Sequence, residues 1–484
     1  MIEKYYSGVI EQIYNRIGKE TRNIVMANYS NDFSIENLEV IRRYQSNEDN
    51  VFFAYSEFSY NTLVGAYEPF LDIICNMHRR FIGGSFDDFQ KECGVYYLHR
   101  QVLNSYYETG ECFREETVLL NEVAYEQRRM TMAIADMLKK LSEVKPLMIV
   151  INRFQMASKS SIETIKYLID NPCANIGIVL GVNAIVKGTD STVEVWDRIV
   201  ESLEDRSAIY YIGSAGPLKN NVKTTNDDEL YITMNFEQSI QEASNIMEFL
   251  DFEQARRGCR IIEHKLKFED AWIDEKSLRR FYMVYARTSV LLGEMSKAIE
   301  LTNEYKALIP ENDSEHYLSL YYFMKGTCYM YQGKLEKAGN SAKSAYDYAV
   351  LAEDDTLIFK AELLSVMIKM SGWYNIFFCV QDIPVSDEII EKLIKHGYRN
   401  HLAHIYIYAY DNSRDVVKQS FYDESLLKHF TKGLELAKEI GNEQLVYDAY
   451  QKTIMLASTS GLNEIAFLYV IRTYEFMKGH GNIY

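Results

Sequence analysis

Asn152 and Arg153 are the first polar residues after a wholly apolar run, Leu147 to Ile151, which Pro146 opens. Ser158, Ser160 or Ser161 can then cap a stretch with apolar residues at Ile162, Ile165, Leu168 and Ile169, the spacing of one helix face. Apolar strand, polar tip and helix describe a buried parallel strand of an α/β sheet, and ligands gather at the carboxyl ends of such strands. Metal-assisted phosphoryl transfer would need a magnesium-binding carboxylate at that tip. This chain places an amide and a guanidinium there, with Gln155 two residues on. The expected chemistry is hydrogen bonding and charge pairing. Arg153 is expected to pair with a surface acid, such as one in the 225–229 run, and Asn152 to bond to neighbouring loops.

A phosphate cradle is also lacking. Backbone amides wrap a phosphate where glycines open the turn, while Lys and Ser or Thr reach the terminal phosphates and the metal. The loop after the first strand candidate, Asn28 to Ile35, has neither glycine nor lysine; it offers Ser30, and Asp32 would repel phosphate. Gly18, Lys19 and Thr21 look like a fragment of the motif, but they follow a helical segment rather than a strand. An unorthodox enzyme would have to use Lys19 with Glu57 or Asp170. No catalytic residue, cofactor or metal ligand is assigned on this reading, with ATP as the alternative cofactor at the degenerate positions. His401 and His404 can share a helix face, yet nothing near them in the sequence supplies a third metal ligand. Asp227, Asp228 and Glu229 read as a solvated turn.

The elements that must hold these residues follow from composition and periodicity. A chain of 484 residues implies two or three domains, and 47% hydrophobic content implies a folded one. Only 6 prolines against 38 tyrosines favour helices. The formal charge of −17 argues against direct binding of nucleic acid or acidic membrane. The 7 cysteines lack any CxxC pair, and with no secretory signal this reads as reduced thiols in a cytoplasmic protein. No run is long and apolar enough for a membrane span. Helical spacing covers residues 1–20, with Val9, Ile13 and Ile17 on one face. Strands are expected at 23–29, 51–55, 147–151, 175–180, 208–212 and 230–234, with 181–183 ending the fourth. Helices are expected from 38, at 69–80, 114–142 and 192–204. This is a parallel α/β domain with helices on both faces.

In this frame the segment Asn152, Arg153, Phe154, Gln155, Met156, Ala157, Ser158 gains meaning. It resembles the end of the Walker B strand in signal-transduction NTPases with numerous domains, the group of the maltose-regulator-like LuxR proteins and related AAA-type regulators. Phe154, Gln155 and Ala157 fit the pattern, as do Tyr67, Glu68, Pro69 and Phe70 in a loop after the second strand. The resemblance covers roughly residues 20–235 and implies a P-loop-NTPase-like fold. It also implies that Asn152 and Arg153 stand where the magnesium-binding and base-orienting acids belong. Asn183 lies where an arginine would be expected.

From Phe236 onward the period changes to that of helices. Gly293 and Gly333 recur 40 residues apart, as do Ala298 and Ala338, with Gly326 in the second unit; Ser365 and Gly372 mark a weaker third, and Gly441 and Gly461 mark later turns. A small residue lets paired helices approach and glycine serves the turn between them. The pattern resembles tetratricopeptide repeats. Asp251 is expected to mark a turn within 236–267. The expected organisation is a degenerate P-loop-NTPase-like domain over 1–235 and a repeat superhelix over 236–484, without a recognisable output domain. The chain is then either a shortened adaptor or a piece of a longer regulator. The function expected is a non-catalytic regulatory or protein-interaction module of bacterial signalling or transcription control. A protein or peptide would bind through the repeats at 280–470, where tyrosines such as Tyr321, Tyr322, Tyr329, Tyr331, Tyr346 and Tyr348 concentrate. The alternatives are a signal-transduction ATPase and a truncated LuxR-type regulator; the oligomeric state is left open.

Overall fold

The computed structural model describes residues 2–29, 38–46, 50–59, 63–114, 116, 119, 122–183, 192–213, 235–268, 273–312, 314–374, 387–409, 424–459 and 461–479. Its elements in order are α1 Ile2–Arg16, β1 Ile24–Tyr29, α2 Glu39–Ser46, β2 Phe52–Glu57, α3 Phe70–Met77, α4 Phe86–Glu92, α5 Tyr97–Thr109, α6 Val123–Val144, β3 Leu147–Asn152, α7 Lys159–Asp170, β4 Ile176–Asn183, α8 Val193–Asp205 and β5 Ile209–Ile212. Then come α9 Phe236–Glu248, α10 Phe252–Phe268, α11 Glu275–Leu291, α12 Met295–Ala307, α13 Ser314–Tyr331, α14 Leu335–Leu351, α15 Asp355–Tyr374, α16 Asp387–Lys395, α17 Arg399–His404, α18 Glu424–Ile440, α19 Glu443–Thr459 and α20 Asn463–Gly479.

The five strands form one wholly parallel sheet in the order β2-β3-β4-β1-β5. Both faces are buried, as parallel sheets require. One face carries Phe53, Met148, Val150, Val179, Val25 and Ala27 and packs with Tyr6, Ile10, Ile13 and Ile41 of α1 and α2. The opposite face carries Leu147, Ile149, Ile151, Ile178 and Leu180, each at most 0% exposed. Helix α1 lies directly over β4 because two glycines open the strand there. A Cβ on Gly177 would stand 2.8 Å from Ile17, and one on Gly181 would stand 2.7 Å from the Asn152 oxygen and overlap the Tyr6 hydroxyl.

The chain divides into two compact units. One comprises Met1–Val95, His99–Phe113 and Glu126–Ile273; the other comprises Tyr96–Leu98, Arg114–Tyr125 and Asp274–Tyr484. Helices α9 and α10 therefore group with the sheet. The break between them falls at Asp251, as the sequence suggests, with Leu250 in the left-handed region at φ 68° and the Asp251 carboxylate accepting from Gln254 N.

In the second unit the helices are paired and repeat-like, resembling a tetratricopeptide superhelix. Gly293 and Gly333 have φ of 76° and 71°, so they close the turns between α11 and α12 and between α13 and α14 at a backbone conformation that suits glycine. A Cβ on Gly326 would stand 3.1 Å from Leu364 and 3.3 Å from Ser341, and Ala338 beside it is fully buried. Small residues here set how closely the helices approach.

Several expectations need correction. The helix expected at 114–142 begins only at Val123, and α4 and α5 precede it where no element was expected. Gly181, Val182 and Asn183 end β4, as expected. Gly372 lies inside α15, and Glu353, at φ 53°, stands in the link from α14 to α15 that joins one helix pair to the next. The expected strand at 230–234 and the acidic run at 225–229 lie outside the described residues. No helix among the described residues is long and apolar enough to cross a membrane.

Candidate functional site

The strand order places a topological switch between β1 and β4. From β1 the chain crosses to β2 at one edge of the sheet; from β4 it crosses past β1 to β5 at the other. Adjacent strands whose connections leave in opposite directions open a crevice at their carboxyl ends, the usual ligand position in such sheets. Tyr29 and Asn183 end these strands as a registered pair. Ser30 and Asp32 lie outside the described residues.

Asn152 ends β3 in register with Glu57 of β2. The alternation of the pleat turns it towards the face covered by α1, with Gly181 and Tyr29. The Tyr29 hydroxyl donates to Asn152 Oδ1 at 2.7 Å, and both side chains are fully buried. One partner of Asn152 is thus a strand residue. Burial pushes the Tyr6 hydroxyl well above the usual phenol range, and nearby Tyr29, Tyr55 and Glu57 add to the effect. A buried neutral phenol is the consequence.

Arg153 follows at φ 54°, a left-handed residue that begins the short 3-10 turn Phe154–Met156. Its Nη1 lies 3.2 Å from Glu57 Oε1 and donates to the Phe58 carbonyl at 3.3 Å. Among the described residues the acid that Arg153 pairs with is thus Glu57 on the adjacent strand, while the 225–229 run lies outside them. Tyr55 donates a short hydrogen bond to the other Glu57 oxygen. Gln155 is fully buried, and its Oε1 accepts from Asn183 N at 3.4 Å. Asn152, Arg153 and Gln155 are therefore brought together at one sheet end with Tyr29, Glu57 and Asn183. Sequence reading missed Tyr29 and treated Glu57 as a possible catalyst; the equal register of β2 and β3 pairs Glu57 with the Asn152 position.

The other residues named as possible chemistry lie elsewhere. Gly18 and Lys19 precede β1, whose six residues span about 20 Å, so they sit at the opposite end of the sheet from Asn152. Gly18 N donates to the Ala174 carbonyl at 2.8 Å, and Lys19 Nζ to the Asn15 carbonyl at 3.0 Å. Asp170 pairs with Lys166 on α7. Among the described residues, the sheet tip presents a buried amide and a salt-bridged carboxylate and guanidinium. The Glu57 carboxylate is engaged by Arg153 and Tyr55, and the guanidinium beside it repels a cation. No group of three or more His, Cys, Asp or Glu among the described residues could hold a metal ion.

The second unit holds its own buried polar centre. His401 Nδ1 lies 2.6 Å from Glu116 Oε1, and His404 Nε2 lies 2.9 Å from Glu122 Oε1. Glu116 also accepts from Asn400 N at 3.1 Å, near the start of α17, and Asn442 Nδ2 donates to Glu122 at 2.8 Å. Carboxylates from 114–125 thus answer the two histidines, which the sequence had left without neighbours. The tyrosines of α13 carry cations from their own chain: Lys306 and Lys325 each stand 5.1 Å from the centre of the Tyr321 ring.

No family model matches the chain, and no curated protein matches it. Among solved structures, a Rap protein complexed with competence and sporulation factor is similar at 11% identity and a TM-score of 0.35, over 84% of this chain and 98% of that one. A signal transduction ATPase with numerous domains carrying a tetratricopeptide repeat sensor, from Pyrococcus horikoshii, is similar at 13% identity and a TM-score of 0.41, over 96% of this chain and 82% of that one. Neither likeness is close enough to fix a function.

Proposed function

We propose that the chain is a non-catalytic regulatory module of a signalling system in a reducing cytoplasm. The sheet unit serves as a rigid platform, and the helical repeats take a protein or peptide. The observation that carries the non-catalytic reading is the internal closure of the sheet tip. Tyr29 holds Asn152, and Arg153 holds Glu57, so groups at the usual phosphate and metal positions are committed to one another. The repeat unit supports the binding role. Its α14 exposes Tyr346 at 38%, Val350 at 44% and Leu351 at 67%, and a chain of charge −17 favours a partner rich in Lys or Arg. The described cysteines are all free thiols, in keeping with a reducing compartment.

Two measurements on the full chain test this. Calorimetry with ATP and magnesium should show no turnover; micromolar binding with magnesium-dependent hydrolysis would return the chain to the ATPases. Arrayed peptides of matched aromatic content and opposite charge should separate, with the basic set retained and released as salt rises. Leu351→Lys and Tyr346→Lys should weaken that retention. Equal capture of acidic peptides, or indifference to both substitutions, would remove the repeat unit from the binding role.

A further inference from the structure

At the amino end of the sheet, opposite the tip just described, three arginines surround a cavity of about 210 Å³. Arg16 comes from the end of α1, Arg22 from the link into β1, and Arg206 from the end of α8. Glu20 is the one acid in the lining, and its ion pair with Arg16 is long at 3.6 Å. Arg206 is aligned by donating to the Ile169 carbonyl. Arg22 has no hydrogen bond or ion pair among the described residues. Two positive charges remain in excess at this place in a chain whose total is −17.

Asn23, also in the lining, is fully buried. Its Nδ2 donates to the Glu20 carbonyl at 2.6 Å and to the Ala174 carbonyl at 3.2 Å, which fixes the orientation of the amide. Its Oδ1 is left buried without a hydrogen-bond partner, a costly condition for a carbonyl oxygen. The wall offers guanidinium forks for an oxyanion. Thr21 adds a hydroxyl, and Tyr210 and Leu168 supply apolar surface. The volume is below the roughly 300–1,000 Å³ of cavities that take drug-sized ligands, which limits the occupant to a few heavy atoms.

We propose that this cavity is a binding site for a small phosphate monoester, its phosphate held by Arg16, Arg22 and Arg206. Guanidinium groups match phosphate oxygens bidentately, and three of them favour a dianion over a single carboxylate. The site contains Thr21 of the Gly18–Lys19–Thr21 fragment but owes nothing to a nucleotide cradle, since it lies at the other end of the strands. It is independent of peptide binding by the repeats.

The test is titration calorimetry of the full chain with glycerol 3-phosphate, inorganic phosphate and succinate at constant ionic strength. Glycerol 3-phosphate should bind saturably and more tightly than inorganic phosphate. Arg22→Gln, which removes an exposed side chain with no partner to lose, should weaken it about tenfold, the scale of one charge-assisted hydrogen bond. Arg206→Gln should weaken it as well, and Arg198→Gln on the exposed side of α8 should leave it unchanged. Absence of saturable heat, or full affinity in Arg22→Gln, would overturn the site. Succinate binding as tightly as the monoester would overturn the phosphate assignment, and equal binding of inorganic phosphate would overturn the preference for a monoester.

Discussion

The Tyr29 hydroxyl reaches Asn152 Oδ1 at 2.7 Å across a strand that lies between their own, and Gly181 on that strand is what lets it pass. Tyr29→Phe should leave the buried amide oxygen short of a donor and cost about 1–3 kcal/mol. Gly181→Ala should cost more, about 2–4 kcal/mol, because the methyl would meet both Asn152 and Tyr6. Gly339→Ala in α14, with nothing within 4 Å of the new methyl, should be neutral or stabilising by up to about 1 kcal/mol. Urea denaturation of the three variants measures the series.

Asn152→Asp restores a carboxylate at the end of β3 but should not create ATP hydrolysis. The new acid would face Tyr29 on the α1 side, and Glu57 would remain tied to Arg153. Phosphate release by this variant above the wild-type background would show that the remaining parts of a phosphate site are present.

The His404 pair gives the second unit a pH signature. Burial opposes ionisation of Glu122, but the charge of His404 and bonds from His404, Asn442 and Asn400 outweigh it and hold the carboxyl down at about 2. Burial likewise lowers the His404 pKa, but the charge of Glu122 and its hydrogen bond outweigh it, so the net shift is upward. The Glu122 contribution is present above the unfolded value of about 4.3 and is lost as pH falls through about 2. The His404 contribution is present below about 6.5 and is lost as pH rises through its raised folded value. Both are fully expressed between about pH 5 and 6. His404→Gln should therefore cost most there, about 3–5 kcal/mol, and less at pH 9 by urea denaturation.

Glu242 on α9 should show the reverse sign. Burial, followed by Glu68 and Asp72, raises its carboxyl to about 7 against a smaller opposing bond from Asn245. The folded protein holds a proton that the unfolded chain releases above about 4.3, so stability declines as pH climbs through about 7. Glu242→Gln should raise stability at pH 8 by about 1–2 kcal/mol and change little at pH 4. An equal gain at both pH values would place the effect outside ionisation.

The parallel sheet was legible because its central strands are apolar on both faces, as in Leu147–Ile151, and helices with strong one-sided spacing separate them. The repeats were legible because Gly293, Gly333 and Ala338 meet geometric demands that few other residues satisfy. The apolar run before them puts Asn152, Arg153 and Gln155 at or just past a strand end, but it says nothing of Tyr29 or Glu57 as their neighbours. Hydrogen bonds between Tyr29 and Asn152, or Glu57 and Arg153, depend on strand order and register, and neither is local in sequence. Helices α4 and α5 were missed because polar and aromatic residues share their faces. Gly372 misled because a helical glycine carries the same letter as a turn glycine.

The interrupted path of the chain bears on how such a protein can be divided or exchanged during evolution. Residues 114–125 belong to the repeat unit although the sheet unit supplies the chain on both sides of them. Glu116 and Glu122 within that insert satisfy His401, Asn400, His404 and Asn442. A single recombination point near residue 274 would carry off the histidines and leave their carboxylates behind. The two units can thus be inherited together, or replaced by two crossovers at once, but the repeat unit cannot be traded as one continuous cassette without stranding buried charge.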